Sequence, residues 1–554
     1  MKKYLISFIL ILSVWLQAST QGESFTVQLN KPFYTQGEKV YYKLFLPVAY
    51  ADQSAAVNIR LYRSGTLLSQ FYNRSSGSSS VAGEIGLPVD YEKGDYQLAF
   101  FVANATQKLT ENIGLIDFKI YNDLSEGELT PSDGYQSLGV GDNSSLSIAT
   151  KFDSIVGARS NNKISLVVLD ENKESVPAEF SVSILDKSLI FGEQDAFIST
   201  TQQKDYSIKT PSSNLFFQGL VTDESNTPLE LKIMGVWSIE GQEFSFAKSN
   251  AEGQFFFELD DFQGEQNIQF VRYDHALDNF NYKLMAPSLS SPAKSANIGL
   301  ESIAQYLAES RTRRKLAQYF GYAKDQNQIT NSIETADAPK PNVYYQLSEY
   351  KRFETIGNFI KELSTALSFK IDDEGQYTAK MTNPKSRRIG DFYLGETPIF
   401  IIDGMISRNP NFVGNIPFDD VKDIKLYYDL KDLRKMYNVM GRDGAVIVQT
   451  TLPNFRLDED EAADIFKLNG LQSGTGILSH NPSVSSPDST SPMFSPTIYW
   501  NPSLTSDTDG RADFNFYHTD DVGTFVIMVL ARTNDGQLVS RIIEYTAESK
   551  KQIK

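Results

Sequence analysis

The stretch Pro398-Ile399-Phe400-Ile401-Ile402-Asp403-Gly404 is answered about forty residues later by Gly441-Arg442-Asp443-Gly444-Ala445-Val446-Ile447-Val448-Gln449-Thr450-Thr451. Each half is an apolar run too short for a globular helix, rich in β-branched residues and bounded by Gly or Asp-Gly. Each therefore reads as a buried strand that enters or leaves a tight turn. Between them, residues 421–437 carry apolar positions at mixed spacing among charges, as expected of a short strand followed by an amphipathic helix.

This pairing resembles the plug domain of TonB-dependent outer-membrane receptors, especially those of starch utilisation. Asp423-Ile424-Lys425-Leu426, Gly441, Gly444-Ala445-Val446-Ile447 and Thr450-Thr451 fall on that pattern, although Met440 stands where it has a tyrosine, and the glycine after Ala445 is missing. Such plugs sit in barrels of about 22 strands, and 103 residues follow Thr451. The expectation is a plug-like domain without a pore of its own.

Lys2 and Lys3, an apolar run from Tyr4 to Leu16 and small residues from Ala18 to Thr20 read as a secretory signal peptide over residues 1–22. The run falls short of the roughly twenty residues a spanning helix needs, and no comparable run follows. No transmembrane segment is therefore expected after signal cleavage. The chain has no cysteine, which excludes a thiol nucleophile, a lipid-attachment cysteine and an internal thioester. Its three histidines, His275, His480 and His518, lie far apart in sequence, which argues against a multi-histidine metal centre. A net charge of −17 speaks against nucleic acid as a partner and suits a solvated acidic surface.

Alternation with period two, punctuated by Gly and Pro, predicts a mainly β, multidomain chain: several antiparallel β-sandwiches plus one α+β plug-like domain. Residues 23–123 form the first sandwich. Its segments Lys31-Pro32-Phe33-Tyr34-Thr35-Gln36-Gly37-Glu38-Lys39-Val40 and Gly94-Asp95-Tyr96-Gln97-Leu98 resemble a macroglobulin MG2-type domain, in which they are structural. Residues 124–210 read as a second sandwich. Residues 211–275, with Gly219-Leu220-Val221-Thr222-Asp223 and Gly253-Gln254-Phe255-Phe256-Phe257, resemble a carboxypeptidase-regulatory-like sandwich, with Phe255 and Phe257 on one face. A linker and helix follow over 276–345, with a basic cluster, Arg311 to Lys315, that reads as a solvated helix face or a dock for an acidic group. The plug-like domain spans 346–455 and opens on a helix over residues 347–367. An acidic, Ser/Pro/Asn-rich stretch over 456–495 is expected to be mobile, and 496–549 resemble a terminal macroglobulin-type β domain. The order of units resembles a family of exported Bacteroidetes proteins that combine these modules.

Signatures of catalysis are thin: there is no His-Glu-x-x-His, Gly-x-Ser-x-Gly or Walker loop. Asp403 before Gly404 suits a carboxylate that accepts backbone N–H groups in a turn, and Asp507 and Asp509 before Gly510 suit a hairpin better than calcium. Tyr427, Tyr428 and Tyr437 are candidates for an exposed aromatic platform, with core packing the favoured reading. The expectation is a non-enzymatic envelope protein with no cofactor and no metal, in the periplasm or at the outer membrane of a Gram-negative cell. It would act as a scaffold or binding module, with a TonB-dependent uptake system as one setting, and would meet an envelope protein partner such as an outer-membrane barrel. The loops 403–415 and 438–443 would face that partner, through Asp403, Gly404, Arg408, Asn409, Tyr437, Arg442 and Asp443. The alternative is a thioester-less, macroglobulin-like protease trap.

Overall fold

The computed structural model describes residues 24–50, 52–75, 80–104, 110–123, 145–189, 198–202, 210–272, 280–285, 289, 300–320, 339–384, 394, 397–452, 455–472, 476–480 and 492–549. The signal peptide expected over 1–22, most of the linker expected at 287–295 and the heart of the Ser/Pro/Asn-rich tract lie outside these residues. The chain is mainly β, and most of its strand pairs are antiparallel. It divides into two units, one of residues 1–215, 287–329 and 471–554, the other of residues 216–286 and 330–470.

The first unit opens with a sandwich. One sheet runs Ile198–Gln202, Ser24–Leu29, Lys39–Phe45, Ser80–Gly86, and the other runs Phe33–Thr35, Thr110–Tyr121, Gly94–Ala103, Ala55–Arg63, Thr66–Ser75. Inward alternate residues fill it, with Val27, Leu44, Ile59, Leu98 and Phe100 in one cluster. The Gly37-Glu38 turn is structural: Gly37 has φ +82°, and Glu38 accepts from Thr35 N at 2.5 Å and Lys31 Nζ at 2.7 Å.

The boundaries drawn from sequence do not survive farther on. Asn161–Leu169 pairs with Arg511–Tyr517, placing Ile164 opposite Phe514. Ala178–Asp186 lies between Thr497–Thr505 and Gly523–Thr533. Residues 124–210 and 496–549 thus contribute to one sandwich rather than two, and Ile198–Gln202 belongs to the first. Alternation reveals which face of a strand is apolar but not which distant strand it pairs with. The two sandwiches also share core: Leu185, Leu189, Val526, Met528 and Leu530 pack with the first. A buried Lys43 bridges them, contacting Glu179 and donating to Ser80 Oγ at 2.7 Å.

The helix Leu300–Phe320 packs Ile303, Tyr306 and Leu307 into the first core. Of its basic cluster, Lys315 is exposed and the three arginines are engaged. Arg314 pairs with buried Asp123 at 2.9 Å, Arg311 donates to the Asp123 carbonyl, and Arg313 reaches Glu309 at 3.1 Å.

In the second unit, Gln254–Leu259, Leu215–Thr222 and Asn281–Leu284 form one sheet of a sandwich. Glu243–Lys248, Ile233–Ser238, Glu265–Arg272 and Ile465–Asn469 form another. Phe255 and Phe257 are buried and meet Phe270 edge-on at 5.2 and 5.7 Å. The strand Ile465–Asn469 comes from the stretch expected to be mobile.

The α+β part carries a sheet in the order Val343–Gln346, Val421–Tyr427, Ala445–Thr450, Ile399–Ile402, Met405–Ser407. The two apolar runs are neighbours in parallel, Ile399 opposite Ala445 and Ile402 opposite Val448. The helix expected over 347–367 is shorter, Ile356–Leu363. The Thr355 hydroxyl accepts from Asn358 N and starts it, and Leu367 already opens the hairpin Leu367–Ile371 with Tyr377–Met381.

One turn recurs through both units. Asp170, Asp223, Asn250, Asp372 and Asp507 each accept, through Oδ1, the N–H groups two and four residues on, at 2.8 to 3.1 Å. The residue three positions on has positive φ in every case: Lys173, Asn226, Gly253, Gly375 and Gly510. Asp507 is therefore occupied as the first residue of a hairpin turn.

Candidate functional site

Of the seven residues singled out from sequence, Asp403, Gly404, Arg408 and Asn409 flank the edge strand Met405–Ser407 of the five-stranded sheet, Arg442 and Asp443 precede its central strand Ala445–Thr450, and Tyr437 closes the helix Leu430–Tyr437. Asp403 and Gly404 join Ile399–Ile402 to Met405–Ser407 as a two-residue hairpin loop, with φ of +48° and +88°. Positive φ at both central positions marks the type I′ turn that matches strand twist, which Asp-Gly favours. The Asp403 carboxylate accepts from Thr450 N at 2.9 Å and Thr450 Oγ1 at 2.5 Å, tying the turn to the neighbouring strand. The Gly404 carbonyl accepts from the indole Nε1 of Trp237 at 2.7 Å. Thus the turn rests on the adjoining sandwich.

The edge strand is held in the same way. Gln269 of Glu265–Arg272 donates from Nε2 to the Ile406 carbonyl at 2.7 Å and accepts from Ile406 N through Oε1 at 2.7 Å. Both residues are buried, so a side-chain amide replaces a missing strand.

Arg408 and Asn409 face the acidic segment expected to be mobile. Arg408 N donates to Glu461 Oε1 at 2.7 Å, and Asn409 Nδ2 donates to Asp458 Oδ2 at 2.8 Å. Asn409 Oδ1 meanwhile caps the helix Pro410–Gly414 through Asn411 N and Phe412 N, each at 3.1 Å. Asp458 Oδ1 accepts from Glu461 N at 3.0 Å and so caps Glu459–Ala462. The Asp-x-x-Glu spacing of a helix start was present in the acidic run and is the signal that would have ordered it.

Tyr437 is buried, its ring 6.0 Å from that of Trp237, and burial raises its hydroxyl well above the ordinary tyrosine value. Tyr427 and Tyr428 are buried too, so no aromatic platform forms here. Asp443 is buried beside Arg442, whose Nε donates to Asp443 Oδ2 at 3.2 Å. The Arg442 side chain stays 52% exposed.

The surface that remains open lies on the helix Leu430–Tyr437, started by the Asp429 carboxylate. Leu433 and Tyr437 face inward. Lys431, Arg434 and Lys435 are exposed, and among the described residues they have no carboxylate partner within ion-pair distance. Spacings of three and four put them on one helix face. No alternation or motif in the sequence separates them from ordinary solvated charge.

A pocket of 480 Å³ in the first unit is lined by Asp186, Glu309, Arg313, Phe494, Asp520 and Asp521, among others. Its carboxylates are largely spent: Asp520 holds Arg159 and Met493 N, and Asp521 accepts from Ser495 N and Thr519 Oγ1. No group of three or more His, Cys, Asp or Glu suited to a metal ion occurs among the described residues.

No family model matches the chain, and no curated protein matches it. Among solved structures it is similar to trypsin-activated alpha-2-macroglobulin from Escherichia coli, at 8% identity and a TM-score of 0.23, over 95% of this chain and 42% of that one. Salmonella alpha-2-macroglobulin reacted with methylamine matches at 9% identity and a TM-score of 0.24, over 96% and 40%. The native conformation of the E. coli protein gives the same values. The chain therefore spans about two-fifths of the length of these macroglobulins.

Proposed function

We propose that the chain is a non-catalytic, exported scaffold of a bacterial envelope that meets an anionic partner through the cationic face Lys431, Arg434 and Lys435, with Arg442 at its border. The observation that carries this reading is the contrast within the candidate site. Asp403, Gly404, Arg408, Asn409, Tyr437 and Asp443 are engaged by the protein itself, whereas three cations on the helix Leu430–Tyr437 stand exposed without an ion-pair partner among the described residues. On a chain of net charge −17, a local positive face is where an acidic protein surface would be steered. An envelope protein, an outer-membrane barrel included, is the class of partner we assign. No helix among the described residues is long and apolar enough to cross a membrane.

Capture from envelope extract with the full chain and with the triple variant K431E/R434E/K435E tests the reading. Surface substitutions of this kind change stability by about 0.5 kcal/mol or less each, so the variant should fold. A partner retained by the wild type at low salt and lost by the variant is the expected result. Equal recovery by both proteins would remove this face from consideration.

A further inference from the structure

The pocket of 480 Å³ in the first unit is walled on one side by the helix Leu300–Phe320, through Ala308, Thr312 and Leu316. Asp186, at the end of the strand Ala178–Asp186, and the loops that carry Phe494 and Val522 form the other walls. Its volume lies in the range of small-molecule sites. The loop wall is tied in place. Met493 N donates to Asp520 Oδ2 at 2.7 Å, Asp520 N donates to the Met493 carbonyl at 2.8 Å, and Ser495 N donates to Asp521 Oδ2 at 2.8 Å. Phe494 therefore stands between two anchored neighbours, yet it is 41% exposed, and Val522 is 56% exposed. Two large apolar side chains left open at one cavity suit an apolar ligand group.

The polar lining sets what else can enter. Arg313 directs Nη2 to Glu309 Oε2 at 3.1 Å and to Asp521 Oδ1 at 3.5 Å. Its Nη1 is buried and donates to no acceptor among the described residues. Such a donor carries a desolvation cost that an acceptor oxygen would relieve. Asp186 is half-buried and accepts from Ser188 N through Oδ1 at 2.8 Å. The adjacent Lys187 turns away to Glu544, at 2.8 Å. Four carboxylates, of Asp186, Glu309, Asp520 and Asp521, thus line the pocket with one cation, Arg313, while Arg159 holds Asp520. The excess is negative, which favours a cationic ligand and disfavours an anionic one.

We propose that this pocket receives the free N-terminal residue of a peptide whose first side chain is large and apolar. The α-ammonium pairs with Asp186, the side chain packs against Phe494, Val522 and Leu316, and the first carbonyl accepts from Arg313 Nη1. An acylated N-terminus lacks the cation, and a free C-terminus brings the wrong charge. The cationic face at 431–435 plays no part, so failure here leaves that reading untouched.

Titration of the full chain with Phe-Gly-amide at about pH 6.5, where an α-amine is largely protonated, tests the assignment by calorimetry. A probe of about sixteen non-hydrogen atoms should bind with a Kd of about 1 mM or lower. N-acetyl-Phe-Gly-amide, Gly-Gly-amide and phenethylamine lack, in turn, the cation, the apolar side chain and the carbonyl. Each should bind about tenfold more weakly or worse. Asp186→Asn keeps the Oδ1 acceptor for Ser188 N but removes the charge, and should weaken Phe-Gly-amide by about tenfold. No binding of Phe-Gly-amide by about 10 mM, an analogue that binds as well as it does, or an unchanged Kd in Asp186→Asn would each overturn the proposal. The analogues use the wild type alone, so they decide the matter even if the variant folds poorly.

Discussion

Gln269 and Ile406 exchange two hydrogen bonds of 2.7 Å, a side-chain amide standing in for the backbone of an absent strand. Replacing Gln269 by Ala leaves a buried N–H and a buried carbonyl unpaired, each at about 1–3 kcal/mol. The Gln269→Ala variant should lose about 2–4 kcal/mol in denaturant unfolding of the second unit. Trp237→Phe strands the Gly404 carbonyl and also leaves a void beside Phe244 and Tyr437, and should cost about 2–4 kcal/mol. No measurable loss in Gln269→Ala would contradict the pairing of its amide with Ile406.

Lys43 is fully buried, and burial lowers its pKa against the pull of Glu179. Lys43→Met removes one of two cations beside Glu179, the other being Arg532 opposite it in the ladder, and should cost about 3 kcal/mol. The double variant Lys43→Met/Glu179→Met should recover only part of that loss, because it takes the carboxylate away from buried Arg532. Thermal melts of the four proteins form the cycle that checks it.

His518 is buried against Phe525 at 4.7 Å, and burial lowers its pKa below the ordinary 6.5. The native state thus prefers the neutral ring. Its contribution is complete above pH 6.5 and is lost as pH falls through the depressed native value. Stability measured from pH 7.5 down to pH 5 should decline, and His518→Phe should flatten part of that slope. A wild-type slope that persists intact in the variant would place the titrating group elsewhere.

Lys173 and Asn226 occupy the turn position that Gly fills at 253, 375 and 510. A left-handed backbone costs a side-chain-bearing residue roughly 1–2 kcal/mol, less for Asn, partly offset by the extra freedom Gly brings to the unfolded chain. Lys173→Gly should therefore stabilise by about 0.5–1 kcal/mol, and Asn226→Gly by less. Gly510→Ala should do the opposite, since its new Cβ would lie 2.9 Å from that of Ser175.

Local chemistry was largely legible in the sequence. The apolar runs at 399–402 and 445–450 form adjacent strands, Asp403-Gly404 turns as its composition requires, and Phe255 and Phe257 share a core face. Partner choice over long separations was not legible. Nothing in the alternation of 161–169 points to 511–517, and nothing about Gln269 announces that it caps an edge strand. The acidic run at 458–461 looked mobile because charge was weighed above capping, although Asp458 and Glu461 had the spacing of a helix start. The cations at 431–435 became distinctive only once the structure showed Asp403, Gly404, Arg408, Asn409, Tyr437 and Asp443 already engaged.

The sandwich that joins 147–186 to 497–548 has a temporal consequence. Its earliest strands emerge more than 300 residues before the strands that cover them, so an apolar surface must wait until the later strands are synthesised. Such distant closure is slow, and a nascent chain cut short in its last fifty residues would leave Ile164, Leu166 and Val168 open to aggregation or to a holding chaperone.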